Sequence, residues 1–116
     1  MRHPFKMTAA LEVERDGVCF LNGRRVELLR RIGETGSMLA ASKEMGMSYQ
    51  QAWSYVQGMN ALSPLPLVIR KRGGTNGGGA ELTKMGRDII VQFEKLVAVH
   101  RDYLEGLGDE LLFCLF

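Results

Sequence analysis

The 116-residue sequence contains few of the residues that build metal centres, disulfide scaffolds and many active sites. It has two cysteines, Cys19 and Cys114, and two histidines, His3 and His100, all far apart and without a CxxC spacing. Such a set predicts neither a disulfide framework nor a metal knuckle. Because no nucleophile–base pair or apolar pair of carboxylates can be assembled, the sequence indicates neither an enzyme nor a cofactor.

Long apolar runs are also absent. No run reaches the roughly 18 to 20 residues that a membrane span needs, and the N-terminal segment MRHPFKMTAALEVE lacks the apolar centre of a signal peptide. The 46% of hydrophobic residues can bury one modest core. We therefore expect a single cytoplasmic domain that has no association with a membrane.

Charge is missing from one long stretch and is unevenly distributed elsewhere. Residues 47–69 carry no charged side chain, although charged residues make up 24% of the sequence. Residues 17–87 contain ten Lys or Arg and four Asp or Glu, a net +6, whereas residues 88–116 contain two and six, a net −4. This asymmetry is typical of a nucleic-acid binder with one basic face, and uneven but solvated surface charge is the alternative interpretation.

The first part of the chain predicts a β-hairpin and a helix. Apolar and polar side chains alternate over residues 9–21 around Asp16-Gly17, which supplies turn chemistry. Asn22 can cap a helix over residues 24–34. The inward positions of this helix are Val26, Leu29 and Ile32, and its largely outward arginines are Arg24, Arg25, Arg30 and Arg31.

Two helices joined by a glycine-containing turn are predicted over residues 37–62. Ser37 can cap the first, short helix, and Gly46 can close it in the left-handed conformation. The second helix begins with a Ser-x-x-Gln capping box, Ser48 and Gln51, and runs to the SPLP segment. A short alanine-bearing helix, a glycine turn and a longer helix form the pattern of a helix-turn-helix.

The second helix has a physical reason to lack charge if it reads base edges. Its inward stripe recurs at helical spacing and consists of Ala52, Val56 and Met59, with Tyr49 and Trp53 beside them. We interpret Trp53 as a packing residue rather than a base-stacking one. The opposite face carries amides and hydroxyls, which donate and accept hydrogen bonds and can read a major groove. Capping alone, for Ser48 and Gln51, or simple solvation of this face are the alternatives.

Residues 67–82 predict two short strands around the loop GGTNGGG, preceded by three cations. A hairpin that follows a helix-turn-helix is the wing of a winged helix. Its glycines permit close approach to a sugar-phosphate backbone, and Thr75 and Asn76 can bond phosphates there. A nucleotide-binding phosphate loop is the competing interpretation, but the required Gly-Lys-Ser/Thr ending is absent.

A long helix is predicted over residues 84–106, with Thr83 as its cap. Its apolar positions cover more of the circumference than one small core can bury, which predicts a second surface for a homodimer. The residues assigned to that interface are Ile89, Ile90, Phe93, Leu96, Val97 and His100. We interpret His100 as a packed or hydrogen-bonded residue rather than as a ligand.

The segment from Gly36 to Arg87 resembles the N-terminal DNA-binding domain of ModE-type molybdate-responsive transcription regulators, which are similar to LysR-type winged helices. The motifs SYQQAW, MN, PLV and GGTNGGGAELT carry the resemblance, which extends over about residues 9–105. It implies that residues 70–79 form the wing and that the helix after Thr83 forms the dimer contact. The side chains that it implies at the groove are Ser48, Tyr49, Gln50, Gln51 and Ser54.

The sequence departs from this family in two respects. Complete regulators of this type carry a further oxyanion-binding region that the sequence up to Phe116 does not include, so molybdate sensing is not carried over. Any link to an oxyanion therefore rests on the resemblance alone. Gln50 is uncharged where we expect a basic residue in some members, which implies a different target sequence.

These patterns together predict an α+β fold, a winged helix-turn-helix with an N-terminal β-hairpin and a long C-terminal dimerisation helix. The predicted function is a sequence-specific transcription regulator without the oxyanion-sensing domain, which binds double-stranded DNA as a homodimer. A winged-helix protein-interaction module that does not bind DNA is the alternative. The predicted base contacts are Ser48, Gln50, Gln51 and Ser54, and the predicted backbone contacts are Ser37, Tyr49, Arg70, Lys71, Arg72, Thr75 and Asn76.

Overall fold

The computed structural model describes residues 5–71 and 79–115. Its elements follow one another as β1 (Glu12–Arg15), β2 (Val18–Asn22), α1 (Gly23–Thr35), α2 (Met38–Glu44), α3 (Tyr49–Leu62), β3 (Val68–Arg70), β4 (Ala80–Leu82) and α4 (Lys84–Phe113). Each of the two hairpins, β1–β2 and β3–β4, forms its own antiparallel two-stranded sheet. This arrangement agrees with the α+β class expected from the sequence.

The first hairpin turns at Asp16 and Gly17, whose φ angles are 52° and 78°. Both central residues of a tight hairpin turn of this kind need positive φ, which explains the Asp-Gly pair. The strand begins at Glu12 rather than at residue 9, because the chain before it runs along α4. Arg15 then donates from Nη1 to the carbonyl oxygen of Leu62 at 2.6 Å, which ties the hairpin to the end of α3.

The hydrophobic core lies where α1, α2, α3 and the base of the second hairpin meet. The inward positions predicted for α1 are buried, and Leu28 on the same helix is completely buried as well. The other core residues with no more than 2% exposure are Met38, Ala41, Ala52, Val56, Met59, Leu67, Val68 and Ala80. One core therefore supports both the helix-turn-helix and the strands that follow it.

Helix α4 extends to Phe113, beyond the predicted end at residue 106. A glycine inside a helix costs only about 1 kcal/mol, and neither Gly106 nor Gly108 adopts a positive φ that would end the helix. Gly108 is buried beneath the side chain of Met7, so the N-terminal segment packs on this part of the helix. Packing of this segment, which periodicity within the helix does not reveal, supports the additional turns.

The long helix gives the molecule an extended shape. Its principal-axis extents are 60 × 28 × 22 Å and its radius of gyration is 17.5 Å, whereas about 13 Å is expected for a compact domain of this length. Thirty helical residues span about 45 Å, so the second half of α4 projects from the core. Within the described ranges, no helix combines the length and the apolar character that crossing a membrane requires.

Candidate nucleic-acid interface

The turn between α2 and α3 is fixed by local backbone chemistry. Gly46 has a φ of 65°, a left-handed conformation that favours glycine, and the hydroxyl of Ser48 accepts the N–H of Gln51 at 3.0 Å. The Gln51 side chain donates to the hydroxyl of Tyr55 at 3.3 Å instead of returning to the start of the helix. Only one half of the predicted capping box therefore forms, and Gln50 and Gln51 of the first turn of α3 are exposed.

Helix α3 exposes an uncharged polar surface, the recognition face, which consists of Ser48, Gln50, Gln51, Ser54 and Gln57. Gln50, Ser54 and Gln57 follow one another at the i, i+4, i+7 spacing, so they form a stripe along the helix. The opposite side of α3 is buried in the core. The four predicted base-contact residues are therefore brought together on one exposed surface.

The aromatic residues of α3 lie at the border of the core. Trp53 is 8% exposed, which confirms that it packs inward. Tyr49 is half-buried and meets the Trp53 ring edge-on, with the two ring centroids 6.4 Å apart. Much of the Tyr49 ring therefore serves packing, and its assignment as a DNA-backbone contact stays a prediction.

The second hairpin, the wing, begins at Val68 and pairs Val68 with Leu82 and Arg70 with Ala80. Its base is joined to the turn between α1 and α2, because Ser37 forms a β-bridge with Gly79 and Ala80 donates to Gly36 at 3.2 Å. This junction fixes where the wing emerges relative to the helix-turn-helix. Arg72, Thr75 and Asn76, which were assigned to phosphates, lie outside the described residues.

Asn60 is a residue whose role the sequence did not reveal. Its Nδ2 donates to the carbonyl oxygen of Val68 at 3.0 Å, and its Oδ1 accepts the N–H of Leu67 at 2.8 Å. The side chain thus connects the last turns of α3 to the start of the wing. The motifs MN and PLV, separated by a few residues, are the two partners of this connection.

Two arginines lie against aromatic rings on opposite flanks of α3. The guanidinium carbon of Arg70 is 3.8 Å from the centroid of the Trp53 ring, and that of Arg25 is 5.3 Å from the Tyr55 ring. Arg25 also donates to the carbonyl oxygen of Cys19 at 3.1 Å. A cation over an aromatic face is attracted by the ring quadrupole, so both guanidinium groups are held beside the recognition face.

Several cations on the elements next to α3 make no ion pair among the described residues. Within the described part of the chain, no carboxylate pairs with Arg24, Arg25, Lys43 or Arg70. Arg24, Lys43 and Arg70 are exposed. Their positive charge is therefore available to an anionic partner on the side of the molecule that carries the recognition face.

The two arginines in the second half of α1 are neutralised by ion pairs. Arg30 bonds Glu27 and Glu94, and Arg31 bonds Glu27 at 2.9 Å and Glu44 at 3.0 Å. These hydrogen-bonded carboxylates raise the pKa of both guanidinium groups above their ordinary values. The +6 charge counted along residues 17–87 is therefore partly cancelled in the structure. Its cations without a carboxylate partner among the described residues are Arg24, Arg25, Lys43 and Arg70, together with Arg87 on α4.

Comparison with known proteins decides the kind of domain. No family model matches the sequence. The molybdenum transport protein ModE of Azotobacter vinelandii is 35% identical over 106 residues, which cover 91% of this chain and 39% of the relative. The DNA-binding transcriptional dual regulator ModE of Escherichia coli K12 is 37% identical over 91 residues, which cover 78% of this chain and 35% of the relative. The domain is ModE-like.

The transcriptional regulator ModE of Yersinia pestis is 39% identical over 93 residues, which cover 80% of this chain and 35% of the relative. The chain thus spans little more than a third of the length of the curated relatives it matches. Among solved structures, the CbnR_DBD–DNA complex matches with a TM-score of 0.55 at 21% identity, covering 69% of this chain and 86% of that chain. The LysR family transcriptional regulator VV2_1132 also matches with a TM-score of 0.55, at 20% identity. These likenesses confirm the winged-helix fold of the ModE-like domain.

The residues assigned to a dimer contact share one face of α4 in this ModE-like domain but differ in their exposure. Leu96 and Val97 are 55% and 38% exposed. Ile89, Ile90 and His100 are half-buried. Phe93 is a correction to the sequence interpretation, because it is 5% exposed and belongs to the domain's own core. Its side chain is therefore not offered to a second copy.

Ser37 also has a structural role in the ModE-like domain. Its hydroxyl accepts the N–H of Ala40 at 3.1 Å and so caps α2, and its carbonyl oxygen accepts a hydrogen bond from the hydroxyl of Thr35 at 3.0 Å. Ser37 is half-buried at the base of the wing. The phosphate contact assigned to it stays a prediction.

Proposed function

We propose that the chain acts in the cytoplasm as a sequence-specific DNA-binding transcription regulator. The recognition face enters the major groove of double-stranded DNA, and the wing follows the adjacent backbone. Amides and hydroxyls supply the donors and acceptors that distinguish base pairs, while Arg70 and Lys71 contact phosphates. The chain's identity to ModE regulators, two of which are named as transcriptional regulators, supports this proposal.

The placement of unpaired cations is the observation that carries the proposal. Arg24, Lys43 and Arg70 are exposed without carboxylate partners among the described residues, and they lie on α1, α2 and β3. Lys6, Arg87 and Lys95 are exposed and unpaired elsewhere in the described residues. Phosphate attraction comes from cations that are free to release counterions. Cations beside an uncharged helix supply the phosphate attraction that the helix itself lacks.

Selection of bound duplexes from a random pool, followed by titrations at several salt concentrations, tests the proposal. Replacing Arg70, Lys71 and Arg72 by Ala should weaken binding to every duplex and lower the salt slope by about 0.9 per lost phosphate contact. A matched control replaces Lys6, Lys95 and Arg101, three exposed cations of the N-terminal segment and α4, which removes the same charge outside the wing. Equal loss of slope in the two triple variants would contradict the proposed orientation on DNA.

We also propose that two copies pair through α4. One recognition helix covers too few base pairs to select a site among the roughly 10⁶ or more that a genome offers. On α4, Ile89, Gln92, Leu96, Val99 and Tyr103 follow the alternating three- and four-residue spacing of a coiled-coil seam. Leu96, Val99 and Tyr103 are 55%, 67% and 65% exposed, which supports the assignment of this seam to a second copy.

A twofold dimer of this kind would bind two half-sites about 34 to 36 Å apart or at multiples of a helical turn. Val99→Glu should produce monomers that bind half-sites weakly, as measured by sedimentation and by DNA titration. Val91→Glu is the control, because Val91 is 50% exposed on the same helix but lies off the seam. A wild-type chain that is monomeric at tens of micromolar while binding its full site tightly would contradict the dimer.

A further inference from the structure

The ring of Trp53 lies between the side chains of Arg70, on the wing, and Tyr49, at the start of α3. Arg70 is the last residue of β3 and is exposed, whereas Trp53, directly below it, is only 8% exposed. Tyr49 meets the indole ring edge-on, at an interplanar angle of 80°. Trp53 is therefore held from two directions, and its ring provides a fixed surface for the Arg70 guanidinium.

This contact of Arg70 with Trp53 is one connection between α3 and β3. Another is the Asn60 amide, which bonds both backbone groups of Val68. Residues 53 and 60 are two turns apart on α3, and residues 68 and 70 are neighbours on the same side of a strand. Two separated contacts define both the position and the direction of β3 against the recognition helix, which a single contact does not do.

Arg70 keeps its hydrogen-bonding capacity in this arrangement. Among the described residues its side chain makes no hydrogen bond and no ion pair, and its contact with Trp53 uses the face of the guanidinium. The N–H donors of a guanidinium lie in its plane, so stacking leaves them free for bidentate bonds to phosphate oxygens. Lys71, the next residue, has no ring beneath it, and its ammonium lies 4.0 Å from Glu81.

We propose that Trp53 is a positioning residue for DNA binding: its ring holds Arg70 in one orientation, so that this cation reaches a phosphate while the recognition face lies in the groove. The inference rests on the proposed function. Because the stacked guanidinium is already ordered, Arg70 loses less side-chain freedom on binding than an unsupported cation does. The contribution of Arg70 therefore depends on the residue at position 53, whereas that of Lys71 does not.

A double-mutant cycle in DNA titrations tests this dependence. In the wild-type background, Arg70→Ala should weaken DNA binding about fivefold. In the Trp53→Leu background, adding Arg70→Ala should weaken it by less than about twofold further. Lys71→Ala, the matched control, should have the same effect in both backgrounds. Trp53→Phe retains an aromatic face, so it should restore most of the dependence. Thermal melting of each variant verifies that it is folded.

Arg70→Lys provides a second route that leaves the core unchanged. A lysine keeps the charge but lacks the planar guanidinium, which stacks on the ring and forms bidentate hydrogen bonds to phosphate. DNA binding should therefore fall by about threefold while the salt slope stays the same. This variant keeps the inference testable even if Trp53→Leu does not fold. Arg70→Lys with wild-type affinity would overturn the positioning role.

Fluorescence tests the stack without DNA. Trp53 is the sole tryptophan of the sequence, so all indole emission reports on this ring. Arg70→Ala should expose its face and increase quenching by acrylamide, whereas Lys71→Ala should leave quenching unchanged. Equal quenching in wild type and Arg70→Ala would overturn the stack itself.

The outcomes separate the two proposals. An equal loss of binding from Arg70→Ala in the wild-type and Trp53→Leu backgrounds would overturn the positioning role and leave the proposed function intact. A wild-type chain that binds no duplex at low salt would overturn both. Background-dependent loss for Arg70 with background-independent loss for Lys71 is the result expected from the structure.

Discussion

Asn60 bonds both backbone groups of Val68: its Nδ2 donates to the carbonyl oxygen at 3.0 Å, and its Oδ1 accepts the N–H at 3.4 Å. The same Oδ1 also accepts the N–H of Leu67 at 2.8 Å. A side-chain amide offers a donor and an acceptor in fixed geometry, so it can pair with a strand as a neighbouring backbone would. Asn60 thereby satisfies backbone groups of two buried residues at the start of the wing.

Asn60→Ala should therefore destabilise the fold by about 2 kcal/mol, because it leaves these backbone groups without partners. Urea denaturation followed by circular dichroism measures the change. Gln57→Ala, which truncates an exposed amide on the same helix, is the control and should stay within about 0.5 kcal/mol of wild type. Similar stability of the two variants would mean that water replaces the amide at no cost.

The recognition face predicts separate effects on discrimination and on attraction. Gln50→Ala or Ser54→Ala should reduce the preference for a selected duplex over random DNA by about 1 to 3 kcal/mol per lost base contact. Binding to random DNA should stay nearly constant, since neither side chain is charged. Lys71→Ala should weaken both by similar factors. Competition titrations measure the ratio, and parallel losses on both duplexes would show that Gln50 and Ser54 do not read bases.

Two helical glycines of α4 predict stability changes of opposite sign. A Cβ at Gly86 would collide with the carbonyl oxygen of Leu67, whereas a Cβ at Gly106 meets open space. Gly106→Ala should stabilise the protein by about 0.5 to 1 kcal/mol, because alanine loses less backbone freedom in a helix. Gly86→Ala should destabilise it, because backbone must move. Thermal melting compares the two, and a stabilising Gly86→Ala would contradict the close approach of α4 to the wing.

The two thiols should react at different rates. Burial, together with a hydrogen bond to Glu12, raises the pKa of the Cys19 thiol above its ordinary value, and Cys114 is exposed. Because the thiolate is the reactive form, less of Cys19 is reactive near neutral pH. A maleimide should label Cys114 first, as mass spectrometry can follow. The labelling rate of Cys19 should rise with pH and level off at a higher pH in the folded protein than in urea. If Cys19 and Cys114 were labelled at equal rates in the folded protein, as they are in urea, the half-buried environment of Cys19 would be contradicted.

Local chemistry determined which features the sequence could reveal. Asn22, Ser37, Ser48 and Thr83 each accept a backbone N–H three residues later, as predicted, because a cap depends only on its own turn. The glycine turn at Gly46 follows from the same kind of rule. The recognition face was predictable because helical spacing separates it from the buried stripe.

Features that join distant segments were not predictable in this way. Periodicity marked Phe93 as apolar and we assigned it to a second copy, whereas the structure places it in the domain's own core. Arg70 was recognised as a cation, but its stacking partner lies 17 positions earlier, on another element. The Asn60 contact likewise depends on how α3 and β3 meet, which no pattern within either element encodes.

The paired base of the wing allows the sequence between Lys71 and Gly79 to be replaced by other loops. The backbone N–H of Lys71 donates to the carbonyl oxygen of Gly79 at 3.0 Å, and Ser37 forms a β-bridge with Gly79. The chain therefore leaves and re-enters the domain at one fixed point, whatever sequence runs between these two residues. Loops of other length or composition could be grafted between Lys71 and Gly79 as a cassette, which would permit libraries of wings to be screened on an unchanged recognition helix.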